Sequence, residues 1–162
     1  MLNFFKKNKS YKLHAVVSGN SINIEKVNDS VFSKKLMGDG VAIIPTNGNL
    51  YAPCDSEVVM LFETKHAIGL RTKNGAEILI HIGINTVSMN GDGFKTFVKT
   101  GDNVKEGDLL IQFDLDKISH ANLDSTVMIV NNNGADYAYK VLNQSYGNVK
   151  KGSILFDVKG GI

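Results

Sequence analysis

The sequence predicts an all-β fold, an antiparallel β-sandwich with a duplicated motif and short peripheral helices. Three observations carry that expectation. Short apolar runs recur along the chain, glycine-containing turns separate them, and one turn segment returns later with its pattern intact. The 162 residues include 16 glycines and only 2 prolines, and 43% are hydrophobic, enough for one core of ordinary domain size.

Taken in order, residues 1–12 (MLNFFKKNKSYK) set Lys6, Lys7, Lys9 and Lys12 beside Leu2, Phe4 and Phe5, with no acid. They read as a flexible basic tail before a domain over 13–162, or as a short amphipathic helix lying on anionic lipid. Strands are expected at Leu13–Val17, Val41–Ile44, Val58–Phe62, Ala67–Arg71, Glu77–Ile82, Leu109–Phe113, Thr126–Val130 and Ser153–Val158. Helical signals are few. Asp29–Met37 has an N-cap, a basic last turn and Gly38 behind it, and Asp116–Leu123 would make a second short helix, both peripheral to the fold.

Two echoes point to duplication. Gly101-Asp102-Asn103-Val104-Lys105-Glu106-Gly107-Asp108-Leu109-Leu110 returns as Tyr146-Gly147-Asn148-Val149-Lys150-Lys151-Gly152-Ser153-Ile154-Leu155, with valine, lysine, glycine and the apolar pair in register. Gly38-Asp39-Gly40 returns as Gly91-Asp92-Gly93, a weaker echo, and repeated turn chemistry alone is the competing explanation for both.

Composition excludes several functions. The longest apolar runs, such as Val58–Phe62, fall far short of the ~20 residues that span a bilayer. Met1 is followed by no apolar leader with a small-residue cleavage site, and Cys54 is the only cysteine, so a reducing, cytoplasmic setting is expected. Arg71 is the only arginine, which is poor equipment for bidentate recognition of bases. Setting aside the four lysines of residues 1–12 leaves 14 basic against 16 acidic residues, so the body carries no basic nucleic-acid footprint.

The most informative stretch runs from Phe62 to Val87. Asn74-Gly75 between two apolar runs signals a hairpin. A two-residue loop would set Gly83 opposite His66 and Ile68 opposite His81, with His66 and Ile68 on one face and the two histidines diagonal neighbours on it. A three-residue loop would change their relative facing. On the two-residue register, Gly83 leaves space above His66. Leu79, Ile80, Ile82 and Ile84 surround His81 and favour its neutral form, which keeps one ring nitrogen free as nucleophile or ligand. The competing account is a pair of half-buried sheet histidines. His14 and His120 lack such a setting and read as structural or surface residues.

Gly75-Ala76-Glu77-Ile78-Leu79-Ile80-His81-Ile82-Gly83-Ile84-Asn85-Thr86-Val87 resembles the phosphohistidine signature of the glucose-type enzyme IIA family of the bacterial sugar phosphotransferase system. Val31-Phe32, Gly38-Asp39-Gly40-Val41-Ala42-Ile43, Phe62-Glu63-Thr64-Lys65-His66-Ala67, Gly91-Asp92-Gly93-Phe94 and Val104-Lys105-Glu106-Gly107-Asp108 extend the resemblance over nearly the whole domain. It implies that His81 accepts a phosphoryl group from HPr and passes it to a cysteine of a sugar-specific enzyme IIB. It also implies that His66 is the second active-site histidine and that Thr64 orients it. The partner-binding rim would include Val41, Ile68 and Val87, with Asp39 meeting basic groups on a partner. No cofactor is required. Regulated transporters or metabolic enzymes are further expected partners, and membrane contact would run through a partner or the tail. Asn85 departs from the family pattern by replacing an aspartate, and Asn131-Asn132-Asn133-Gly134 lies where some members carry another acid.

Two alternatives stand beside this. A zinc-dependent hydrolase on the same duplicated architecture would need three protein ligands, where the chain offers His66 and His81; the pair would more readily hold an adventitious or regulatory zinc completed by a partner carboxylate. A purely regulatory binding module is the other. The turn around Gly107 is similar to that of lipoyl and biotinyl carriers, but no lysine occupies their hairpin-tip context.

Overall fold

The computed structural model describes residues 10–133 and 139–160. Its strands are β1 (Ser10–His14), β2 (Gly19–Asn23), β3 (Asp39–Pro45), β4 (Asn49–Tyr51), β5 (Ser56–Leu61), β6 (Ala67–Thr72) and β7 (Glu77–Ile82). They continue as β8 (Phe94–Thr96), β9 (Asn103–Val104), β10 (Leu109–Phe113), β11 (Val127–Asn131), β12 (Lys140–Leu142), β13 (Gly147–Val149) and β14 (Ile154–Lys159). Two α-helices, α1 (Ser30–Ser33) and α2 (Leu115–His120), lie between strands, with 3-10 turns at Ile24–Lys26 and Thr86–Met89.

The strands form an eight-stranded sheet of order β13-β2-β3-β11-β7-β6-β5-β9 and two three-stranded sheets, β1-β14-β12 and β4-β10-β8. Every pairing among them is antiparallel. The all-β expectation therefore holds. Alternation along the central strands sends Val41, Ile43, Ile68, Ile78, Ile80, Ile82, Val127 and Ile129 to one side, where they pack with Leu13, Leu50, Leu110, Ile111 and Phe156 of the small sheets. The other side carries Ala42, Ala67, Leu79, Met128 and Val130, covered by Ile24, Val27 and Phe32. With both faces covered, the central strands lose the polar half of the alternation and read as near-continuous apolar runs.

The stronger echo corresponds to a structural repeat. Gly107 and Gly152 adopt φ of +89° and +88°. Ala52 donates to Asp108 O (2.8 Å) and accepts from Gly107 N (2.9 Å), while Ala15 donates to Ser153 O (2.7 Å) and accepts from Gly152 N (3.2 Å). A pseudo-two-fold between β7 and β11 then exchanges β6 with β3, β5 with β2 and β9 with β13. The Gly-Asp-Gly echo does not obey it, because Gly38–Gly40 leads into β3, whose mate is β6, whereas Gly91–Gly93 leads into β8.

Several expectations are corrected. Ser10, Tyr11 and Lys12 are not tail but pair with Lys159, Val158 and Asp157 in β14; residues 1–9 lie outside the described set. The first helix is one turn rather than nine residues: Asp29 caps it by accepting from Val31 N at 2.8 Å, and Lys35 at φ +59° ends it. The second is capped by Asp114 and starts one residue earlier than expected. The hairpin loop holds three residues, not two. Thr72 N bonds Ala76 O (2.9 Å), Gly75 lies at φ +89°, and the buried Asn74 turns its Oδ1 onto Ala76 N (3.2 Å). Ala67, not Ile68, therefore faces His81, and Ile68 faces Ile80 toward the core.

Candidate active site

One row of residues crosses the outer face of the large sheet: Ile22, Ala42, Met128, His81 and Ala67 are successive register partners on β2, β3, β11, β7 and β6. His66 lies one residue before β6, after Lys65 at φ +62°, so strand alternation does not dictate its facing. Its carbonyl accepts from Ile82 N at 2.7 Å, which anchors it beside the end of β7. The two imidazoles meet edge to face, centroids 4.8 Å apart and planes at 83°. The pairing of the histidines is thus as expected, but by a different register.

Each ring is held on its far side. Thr64 Oγ1 and His66 Nδ1 are 2.8 Å apart. His81 Nδ1 lies 2.8 Å from the Gly83 carbonyl, and a carbonyl can only accept, so the proton sits on Nδ1 and Nε2 keeps its lone pair. Phe32 packs on His81 at 5.1 Å and Phe62 on His66 at 5.4 Å. Burial, reinforced by the neighbouring His66, pushes the His81 pKa down to about 4, against opposing pulls from the Gly83 carbonyl and Asp29. Burial also lowers the pKa of His66, with a hydrogen bond to the Thr64 backbone acting the other way. Both rings are neutral at pH 7. The site therefore presents an unprotonated nitrogen in a largely dry setting beside a second neutral imidazole.

Gly83 does not open space above His66. A Cβ there would meet the Thr86 methyl at 2.4 Å and the Asp124 carbonyl at 2.9 Å, and φ is +79°. Val41 and Ile68 are wholly buried in the sandwich core, so neither can belong to a partner-binding rim; alternation turns both inward. Val87 is 52% exposed, in the 3-10 turn that follows the strand of His81. Asp39 sits in another row, opposite Asn131, with its carboxylate 3.6 Å from Lys35 Nζ. Among the described residues no group of three or more His, Cys, Asp or Glu side chains could hold a metal, so the pair alone falls short of a catalytic zinc site. Cys54 is buried with its thiol pushed up to about 12, chiefly by burial. His14 bonds the Pro53 carbonyl at 3.1 Å, and His120 is exposed at the end of α2.

Sequence reasoning missed the ring contacts of Phe32 and Phe62 and the role of the Gly83 carbonyl. The helix signal at Asp29 and the Val31-Phe32 block were the available pointers to Phe32.

The family described as phosphoenolpyruvate-dependent sugar phosphotransferase system, EIIA 1, matches residues 11–137. The chain belongs to that family. A solved structure, glucose permease IIA from Mycoplasma capricolum, is 37% identical and superposes with a TM-score of 0.85, covering 93% of this chain and 96% of that one. This EIIA is a phosphocarrier of the sugar phosphotransferase system, a transferase component whose role entails interaction with HPr and an EIIB. Its antiparallel sandwich is the fold of that relative.

Proposed function

We propose that His81 Nε2 carries the phosphoryl group from phospho-HPr to a cysteine of a sugar-specific EIIB, with His66 and Thr64 as its supports. The observation that carries this reading is the Nδ1–H bond to the Gly83 carbonyl, which leaves Nε2 as the free nucleophile. In the first step the Nε2 lone pair forms the new P–N bond as the donor's P–N bond breaks in line. The donor leaves as a neutral imidazole, and His81 becomes a phosphoimidazolium whose Nδ1–H bond to Gly83 strengthens with the charge. In the second step a cysteine thiolate attacks phosphorus, and the bonding pair returns to Nε2.

A Thr64 hydroxyl that donates into His66 Nδ1 would put the His66 proton on Nε2, from which it can be donated to a phosphoryl oxygen. Phe32 and Phe62 limit water around the labile P–N bond. The half-exposed Val87 and Phe62 give partners apolar contact beside the histidines, and Asp39 offers a charge farther along β3. The choice of sugar rests with the EIIB and membrane components, and testing which EIIB accepts the phosphate identifies it.

Incubation with enzyme I, HPr and phosphoenolpyruvate should add one acid-labile phosphate, abolished in His81→Ala. Labelling of that variant to wild-type extent overturns the assignment. His66→Gln should still accept phosphate but pass it on poorly; normal sugar phosphorylation would remove its supporting role.

A further inference from the structure

The tautomer of His81 depends on the direction of one carbonyl, that of Gly83. Two consecutive peptide planes set this direction, and both are held at each end. In the first, the Ile82 carbonyl accepts from Thr86 Oγ1 at 2.5 Å and Gly83 N donates to Thr126 O at 2.8 Å. In the second, Ile84 N donates to Asp124 O at 2.9 Å, and the Gly83 carbonyl accepts from His81 itself. Gly83 φ, at +79°, is the hinge between the planes. The Thr86 methyl packs against that hinge, 2.4 Å from where a Cβ would stand. Thr86 is wholly buried, with its hydroxyl committed to this contact. The Asp124–Thr126 turn is closed by the Asp124 carboxylate, which accepts from Thr126 N (2.8 Å) and Oγ1 (2.6 Å).

We infer that Thr86 is a positioning residue whose hydroxyl, with the turn closed by Asp124, holds the Gly83 carbonyl on His81 Nδ1 and so restricts phosphorylation to Nε2. The inference rests on His81 being the acceptor, but its tautomer component stands without that reading. Without the hydroxyl, the Ile82–Gly83 plane keeps only its N–H anchor and can rotate about the glycine. The Gly83 carbonyl then leaves Nδ1 for part of the time, and the imidazole populates its other tautomer, with the proton on Nε2 and no nucleophile facing the donor.

Two substitutions separate the hydroxyl from packing: Thr86→Val keeps the shape and removes the hydroxyl, and Thr86→Ser keeps the hydroxyl and removes the methyl. The readout is the pair of 15N shifts of His81 in the intact, 15N-histidine-labelled protein, followed by phosphoryl transfer from phospho-HPr. Wild type and Thr86→Ser should show a single Nδ1–H tautomer. Thr86→Val should show averaging toward the other tautomer, and kcat about 10-fold lower with KM for phospho-HPr unchanged. Its phosphorylated form should carry some Nδ1-phosphohistidine. Asp124→Ala, which opens the turn rather than the hydroxyl contact, should move the same 15N signals in the same direction. Unchanged tautomer and kcat in both Thr86→Val and Asp124→Ala overturn the inference, as does a Thr86→Ser variant impaired as far as Thr86→Val. A mixed tautomer in Thr86→Val, together with undiminished labelling of His81→Ala, would sink the acceptor assignment and leave the clamp intact.

Discussion

His81 should remain neutral far below the pH at which an ordinary histidine charges. The perturbation is acidification, and burial beside His66 has moved the midpoint from 6.5 to about 4. At pH 5.5 about 97% of such a group is unprotonated, against about 9% of an unperturbed imidazole, so the nucleophile keeps roughly a tenfold advantage there. The same shift acts on stability. An unfolded chain takes up its proton near pH 6.5 while the native chain does so only near 4, so this contribution is complete above pH 6.5. It falls away as the pH drops toward 4, by about 3 kcal/mol in total. Histidine 15N and ring-proton NMR gives the midpoint directly, and urea unfolding at a series of pH values in wild type and His81→Gln gives the linked stability. A His81 midpoint within half a unit of 6.5, or identical pH slopes in the two proteins, would refute the burial argument. His66→Gln should raise the midpoint without restoring it, because burial is the larger cause.

Removing the Phe32 ring, 5% exposed and packed at a tilt against His81, should cost about 3 kcal/mol in urea unfolding and raise the His81 midpoint toward 6.5. Gly83→Ala should destabilise by about 2–4 kcal/mol, since it forces a side chain into a left-handed backbone and onto the Thr86 methyl; a neutral result by calorimetry would contradict the packing. Cys54 should resist a thiol reagent in the native protein and react fully in denaturant, as its burial and raised pKa require. Asn74→Ala should lose about 1–3 kcal/mol, because Ala76 N loses a side-chain acceptor in a buried loop; an unchanged urea midpoint would remove Asn74 from that role.

The longer strands were legible because their apolar runs are continuous: β7 of the large sheet and β10 of a small one lie where expected to the residue. Strands of two or three residues, such as β4, β9 and β13, carry too little pattern to stand out from turns. Asn74-Gly75 marked the hairpin but not its length, since the dipeptide suits both a two-residue loop and a turn with a glycine bulge. The buried Asn74 side chain, bonded to Ala76 N, accompanies the longer form, a tertiary circumstance no local pattern carries. His66 and His81 could be singled out, and the resemblance named Thr64 as well. Phe32 could not be found in the same way, because a single helical turn has no face that periodicity can assign. Val41 and Ile68 were misplaced because apolar residues near a site in sequence need not share its side of the sheet.

The pseudo-two-fold gives the histidine row a twin. Exchange of the halves carries Ala67, His81 and Met128 onto Gly40, Val130 and Leu79. Where one end of the sheet has an imidazole with a free nitrogen, the other has the wholly buried aliphatic side chain of Val130. The two copies have thus divided labour between reactivity and packing. On the proposed reading, a carrier with a single reactive end must meet its donor and its acceptor by turns through the same doorway. Each would then act as a competitor of the other, the signature of ping-pong kinetics.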